Sequence, residues 1–210
     1  APLRQSIDLL ERDPASATPL ARPQHASLRG VLERSWALLA PRERDALAAL
    51  TVFSGGFTHE AARAVAHCPL PLLSALVDKS VVAVAEGGRF GLHPAVAAFA
   101  SEQLALDPVQ AQALRLRHAG HLSTVLAALA PHATGDPRPL VAGVQAELAN
   151  LCVAWRCAVQ AGRVDWVADM VRALWAFFEN RGRQREGITL LAPALALPAD
   201  NAPGRHAQAR

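Results

Sequence analysis

Residues 76–104 read Leu76-Val77-Asp78-Lys79-Ser80-Val81-Val82-Ala83-Val84-Ala85-Glu86-Gly87-Gly88-Arg89-Phe90-Gly91-Leu92-His93-Pro94-Ala95-Val96-Ala97-Ala98-Phe99-Ala100-Ser101-Glu102-Gln103-Leu104. The stretch opens on the end of a helix. Val81 to Ala85 is an apolar run rich in β-branched residues, and Phe90 to Leu92 is a second, shorter one. Between them Gly87 and Gly88 supply the positive φ angles that a tight hairpin turn demands. His93-Pro94 then opens a new helix, with proline at the first helical position, where its missing N–H costs nothing. Helix, two-stranded wing and helix in this order form the core of a winged-helix module.

Upstream, the pattern supplies the helices that such a module needs. Residues 3–11 hold a short helical fragment, and Pro14, Pro19 and Pro23 break residues 13–24 into a loop or arm. Ser27 is a suitable N-cap. After it Leu28, Val31, Leu32, Ser35 and Leu39 fall on one helical face, widened by Trp36 and Leu38, which is expected to be buried. Pro41 starts a second helix, and Ser54-Gly55-Gly56-Phe57 forms a turn after it. Thr58 caps a third helix, with Glu60 in its first turn complementing the dipole. Pro69 and Pro71 open a fourth, with Leu70, Leu73, Leu76 and Val77 inward. In the helix from 94, Val96, Phe99, Ala100 and Leu104 make the buried face.

Downstream of Asp107-Pro108 the texture turns purely helical. A long helix carries Leu114, His118, His121, Leu122, Val125 and Leu129, and Pro131 to Pro139 make a loop. Helices follow over 140–161, 163–181 and 184–197, ended by Gly162, Gly182 and Pro198. Helices joined by such short glycine turns pack antiparallel. Stacked hairpins of this kind resemble the start of an α-solenoid. The predicted fold is therefore mostly α. It comprises an arm and linker over 1–24, a winged-helix domain with a small β-hairpin wing over 25–108, and an incomplete helical-repeat domain over 109–210.

Composition agrees with that class. The 210 residues are 51% hydrophobic, tyrosine is absent, and alanine and leucine favour helix over sheet. No apolar run approaches the ~20 residues of a membrane span, and no signal peptide opens the chain, so a cytoplasmic location is expected. The first residue is alanine, which leads us to expect a segment of a longer protein. Cys68, Cys152 and Cys157 are scattered and read as buried free thiols. Charge is unevenly spread. Residues 1–108 carry 10 Lys/Arg against 11 Asp/Glu, a balance of −1, and residues 109–210 carry 11 against 7, a balance of +4. Phosphate neutralisation supplies most of the affinity of a DNA reader, so the slightly acidic first half argues against DNA as its partner.

Several stretches together resemble a known family. They are Arg22 to Arg29, Ser35-Trp36-Ala37-Leu38-Leu39, Pro41-Arg42-Glu43-Arg44, Thr51 to Phe57 and Leu76 to Val82. They are similar to the winged-helix segment of bacterial STAND signal-transduction ATPases, which include MalT-like and AfsR-like transcriptional regulators. Glu147-Leu148-Ala149-Asn150-Leu151, Ala173 to Phe178, Arg181-Gly182-Arg183 and Glu186-Gly187 resemble the first tetratricopeptide-like helices that follow in those proteins. The resemblance implies an ATPase module ahead of this segment, with ATP and ADP as its ligands. The chain has no Gly-x-x-x-x-Gly-Lys-Ser/Thr phosphate loop, and its one lysine, Lys79, follows Asp78. No cofactor and no catalysis are therefore expected of these residues. Two kinds of partner are implied: the intramolecular ATPase module, and a protein or small-molecule inducer on the helical repeats.

The resemblance also singles out His93. In STAND proteins a histidine at the end of the wing contacts the β-phosphate of ADP, and Leu92-His93-Pro94 occupies that place, although Pro94 stands where an acid is common. An imidazole beside a helix N-terminus suits an anion; the plainer reading is that His93 caps its helix. Residues 70–79 lie where a recognition helix would lie. Only Ser74 and Lys79 there suit base reading. His118 and His121 are spaced as two metal ligands, but no third ligand is placed to join them, and helix packing explains them. Arg181, Arg183 and Arg185 make either an anion-binding rim or a solvated turn. Trp155, Trp166 and Trp175 read as core. The leading function is regulatory: a block that couples a nucleotide switch to a sensor solenoid. A DNA-binding winged-helix regulator and a protein–protein scaffold are the alternatives.

Overall fold

The computed structural model describes residues 23–133 and 135–197. The chain divides into two compact units, residues 1–40 and residues 41–210. In the first, α1 spans Pro23–Ala37. The helix begins four residues before Ser27, so Ser27 lies within it instead of capping it. Its apolar stripe is not covered as predicted either: Leu28 and Val31 remain nearly half exposed, while Leu39 beyond the helix is buried. The reason is that α1 is a single helix among the described residues of its unit. The predicted 1–24 arm lies almost wholly outside the described residues.

The second unit runs α2 (Pro41–Leu50), α3 (His59–Ala66), α4 (Leu70–Asp78), β1 (Val82–Val84), β2 (Phe90–Leu92) and α5 (Pro94–Ala105). This is the predicted order of three helices, hairpin and helix. Thr58 caps α3 by accepting the Ala61 N–H at 3.1 Å. The strands pair antiparallel, Val82 opposite Leu92 and Val84 opposite Phe90. Gly87 and Gly88, at φ 69° and 73°, make the turn as the sequence demanded. Leu47, Leu50, Phe57, Val65, Leu73, Leu76 and Val82 are buried in this half.

The helical half follows without a gap. Asp107 caps α6 (Pro108–Leu129) by accepting the Gln110 N–H at 2.9 Å. Beyond it come α7 (Arg138–Gln160), α8 (Val164–Asn180) and α9 (Gln184–Leu191). Gly162 and Gly182 turn the chain between them at φ 63° and 65°. Leu126, Leu140, Val144, Leu151, Trp155, Met170, Leu174 and Phe177 fill one core among α6, α7 and α8. Burying each such side chain stabilises the fold by about 1.5–3 kcal/mol. The Trp155 indole N–H donates to the Leu190 carbonyl at 2.8 Å and fixes α9 on α7. The last helix is shorter than the predicted 184–197: α9 stops at Leu191, and residues 192–196 form a 3-10 turn. Pro193 has no N–H to continue the ladder, which explains the early stop. Helices α3 and α5 pack against α6, so the two halves of this unit share contacts across the 107–108 seam.

Candidate functional site

The turn after α2 is the point where the wing and the helical array meet. Phe53-Ser54-Gly55-Gly56-Phe57 leaves α2 with Gly55 and Gly56 at φ 89° and 84°, a conformation that L side chains adopt only with strain. Space forbids a side chain at Gly56 and crowds one at Gly55. A Cβ on Gly56 would lie 2.8 Å from the Phe90 carbonyl oxygen, and one on Gly55 would lie 3.1 Å from the Ala149 Cβ. The glycines thus let the turn touch the wing on one side and α7 on the other. Phe57 and Phe90 exchange both backbone hydrogen bonds, at 2.9 and 2.8 Å, which adds the turn to the edge of the hairpin.

Asn150 of α7 holds this turn. It is almost wholly buried. Its Oδ1 accepts the Ser54 N–H at 2.6 Å, and its Nδ2 donates to the Gly56 carbonyl at 2.9 Å and to Glu147 Oε2 at 2.6 Å. Both donors are used, and the Ser54 N–H and the Gly56 carbonyl together fix the orientation of the amide. Glu147, one helical turn earlier, pairs through Oε1 with the Arg89 guanidinium of the wing. Arg89 also donates to the Gly56 carbonyl at 3.1 Å. Arg89, Glu147 and Asn150 therefore form a closed polar clamp around one carbonyl, tying the wing, the glycine turn and α7 together. Both partners of the ion pair are about four-fifths buried, so water weakens it less than it would an exposed pair.

His118 of α6 packs beneath this clamp. It is fully buried, with the Phe53 ring edge-on at 5.1 Å. Among the described residues neither ring nitrogen finds a hydrogen-bond partner. Burial pushes its pKa down to about 4 and the neighbouring His121 adds to that, while Glu147 and the nearby Asn150 amide, which falls short of a hydrogen bond, oppose it. Burial likewise lowers His121, against the pull of Glu147. His118 is thus a neutral core histidine at neutral pH, and among the described residues no group of three His, Cys, Asp or Glu is placed to hold a metal.

His93 sits at the N-cap of α5. Its ring is exposed, and Nδ1 accepts the Ala95 N–H at 3.2 Å. On α4, the two side chains suited to base reading fare differently. Ser74 is exposed, whereas the Lys79 ammonium is bound at 2.7 and 2.6 Å to both carboxylate oxygens of Glu43 on α2. The exposed remainder of that surface is partly apolar, with Leu70 on α4 and Val84 on the wing.

The three arginines at the α8–α9 turn are not one cluster. Arg181 reaches Gln145, Arg183 grips Glu186 at 2.7 and 2.5 Å, and Arg185 makes neither contact. Trp155 is core as expected. Trp166 is half-buried beneath the Arg163 guanidinium, 3.6 Å from its ring centre, and Trp175 is more than a third exposed, against the expectation. Cys68 is fully buried, and burial pushes its thiol up to about 11, which keeps it protonated and inert at neutral pH.

Comparison with known proteins bears on this arrangement. The chain is similar to mycobacterial proteins named as regulators of transcription. They are "Putative HTH-type transcriptional regulator Mb0914c" of Mycobacterium bovis, and "Putative HTH-type transcriptional regulator Rv0890c" and its counterpart MT0914, each of a Mycobacterium tuberculosis strain. Each is 30% identical over 173 residues, which is 78% of this chain and 19% of the relative. The chain thus spans about a fifth of the length of the curated relatives it matches. No family model matches the chain. No solved structure matches it either.

Proposed function

We propose that this chain is a regulatory segment of a transcriptional regulator, and that its winged helix passes a conformational signal between neighbouring modules. The names of the mycobacterial relatives support the transcription-regulator reading. They favour it as a DNA-binding regulator more than they favour the ATPase-coupling version. Within such a regulator, the chemistry of α4 argues that the duplex contact belongs to another part of the longer protein. A recognition helix reads base edges with outward Arg, Asn, Gln or Lys. Here the one lysine is held by Glu43, and Leu70 and Val84 present apolar groups instead. An apolar face of this kind fits a protein surface better than a phosphate ridge.

The observation that carries the coupling reading is the clamp of Arg89, Glu147 and Asn150 on the Gly56 carbonyl. It makes the wing sensitive to any shift of α7. The finer reading adds a nucleotide switch: an ATPase module ahead of this segment, ADP held there with the help of His93, and an inducer on the helical repeats that biases the switch. In that scheme the segment itself is non-catalytic.

Two measurements test this. In amide hydrogen exchange, Asn150→Ala speeds exchange at the Phe57 and Phe90 amides; unchanged protection there refutes coupling through the clamp. In fluorescence anisotropy with duplex DNA at low salt, the chain shows no saturable binding. Saturable binding that Ser74→Ala or Lys79→Ala abolishes moves the DNA-reading role onto α4 and overturns the proposal.

A further inference from the structure

We propose that the side of the helical array made by α6, α7 and α9 is a docking site for an extended acidic peptide with apolar anchor residues. Two grooves lie on either side of Arg156. One, of about 310 Å³, runs between α6 and α7, with Arg115 and Arg156 on its rim and Val153 and Cys157 in its floor. The other, of about 530 Å³, runs between α7 and α9, with Arg156, Arg185 and the exposed Pro193 on its rim and the partly buried Leu190 in its floor. Arg156 belongs to both, so the grooves make one continuous track.

The charge of this track is uncompensated. Among the described residues, Arg115, Arg156 and Arg185 have no carboxylate partner and no side-chain hydrogen bond, and all three are exposed. The one carboxylate on the track, Glu186, is already gripped by Arg183. The track also lies in the half of the chain that holds the positive excess. Three free guanidiniums along a rim therefore await anionic groups.

The floors decide which anion. The partly buried Val153 and Leu190 offer apolar surface between the helices, which gains only if an apolar side chain enters. An extended peptide presents alternate side chains to opposite sides. One set can fill the floors while carboxylates meet the arginines. A duplex has charge but no apolar group to lower between the helices, so the same track serves it poorly. This inference needs neither a nucleotide nor the coupling role of the wing, and its failure leaves that reading untouched.

The test uses the whole chain and a fluorescein-labelled peptide of alternating Glu and Leu, with a Gln-Leu counterpart and a short DNA duplex as competing probes. The Glu-Leu peptide binds saturably and weakens as salt is raised; the Gln-Leu peptide does not bind. Arg156→Glu raises the Kd about tenfold, since it removes the charge shared by both grooves and adds a repulsion. Arg138→Glu, an exposed arginine paired with Asp136 outside both grooves, leaves the Kd unchanged. Thermal melts of both variants match the parent, because both positions are exposed. An equal Kd for the parent and Arg156→Glu, equal binding of the Gln-Leu peptide, or tighter Arg156-dependent binding of the duplex would each overturn the assignment.

Discussion

Asn150→Ala is the sharpest perturbation of this structure. It deletes three hydrogen bonds at once, to the Ser54 N–H, the Gly56 carbonyl and Glu147. Two of the three partners keep a second contact, because Arg89 still donates to the Gly56 carbonyl and still pairs with Glu147. The Ser54 N–H is the group left bare. An unsatisfied buried donor costs about 1–3 kcal/mol. Ser54 itself is exposed, so water reaches that N–H and the low end applies. Adding about 1 kcal/mol for the two weakened bonds gives a loss of about 2 kcal/mol. For a protein of this size that is a fall in Tm of about 4–8 °C. Asn150→Asp separates the hydrogen bonds from the packing. It keeps the volume but turns the Nδ2 donor into an oxygen that faces the Gly56 carbonyl and Glu147. We expect it to cost more than the alanine, about 3 kcal/mol or above. Urea denaturation measures both. If Asn150→Asp is as stable as the parent, or if Asn150→Ala shifts stability by less than about 0.5 kcal/mol, the clamp is not what holds the turn.

Three further outcomes follow from neighbouring geometry. Gly56→Ala combines a positive φ with a Cβ 2.8 Å from the Phe90 oxygen, and urea titration should show a loss of more than about 2 kcal/mol; Gly87→Ala, where the Cβ meets open space, should lose about 1 kcal/mol. His118 has a folded pKa of about 4, below its unfolded value near 6.5. Its contribution to stability is therefore complete above about pH 6.5 and is lost as pH falls toward 4. Between pH 7.5 and pH 5 the loss is about 2 kcal/mol, and His118→Leu should flatten it in melts at the two pH values; an unaltered slope refutes the assignment to His118. His93→Ala removes the cap of α5 and should lower stability by about 0.5–1 kcal/mol. If an ATPase module precedes this segment, as the proposed reading holds, the same variant should also weaken its ADP retention, read by filter binding, and unchanged retention refutes the sensor role.

The fold was readable where one residue type decides one backbone feature. Gly87-Gly88 set the hairpin turn, Thr58 set a cap, and Gly162 and Gly182 set helix ends; that Asp107 caps α6 came only from the structure. Boundaries failed where tertiary surroundings decide. Ser27 is a sound cap by type, yet the helix runs through it from Pro23, because the pattern of a single helix cannot say where its first turn forms. The clamp was legible only in pieces. Ser54-Gly55-Gly56-Phe57 read as a turn, and Glu147 to Leu151 as a helical stretch, but nothing local joins positions 94 residues apart. Likewise Lys79 read as a candidate base reader until its contact with Glu43, 36 residues earlier, removed it from that role.

The distribution of polar contacts explains how a signal could travel here. The wing touches α7 through Arg89 and Glu147, and touches the turn through the Phe57–Phe90 bridge. The two routes meet at Gly56-Phe57: the bridge is on Phe57, and the Gly56 carbonyl accepts from Asn150 and from Arg89. A shift of α7 by about one ångström breaks bonds of this length, since hydrogen bonds weaken steeply beyond their normal range. The apolar packing around Phe57 tolerates no matching slide, because close-packed interiors rearrange in steps instead of deforming smoothly. On the proposed reading the wing either stays with α7 or lets go of it, which is what a coupling block needs and a plain scaffold does not. The same reasoning places the demand on Arg89. It is the only wing side chain among the described residues that bonds to α7, so Arg89→Ala should loosen the far end of the hairpin, while the Phe57–Phe90 bridge and Asn150 keep the turn in place. In hydrogen exchange the amides of β1 and β2 would then lose protection and the Ser54 amide would keep it; loss at all three together would mean that the clamp opens as one piece and that the wing has no independent motion to transmit.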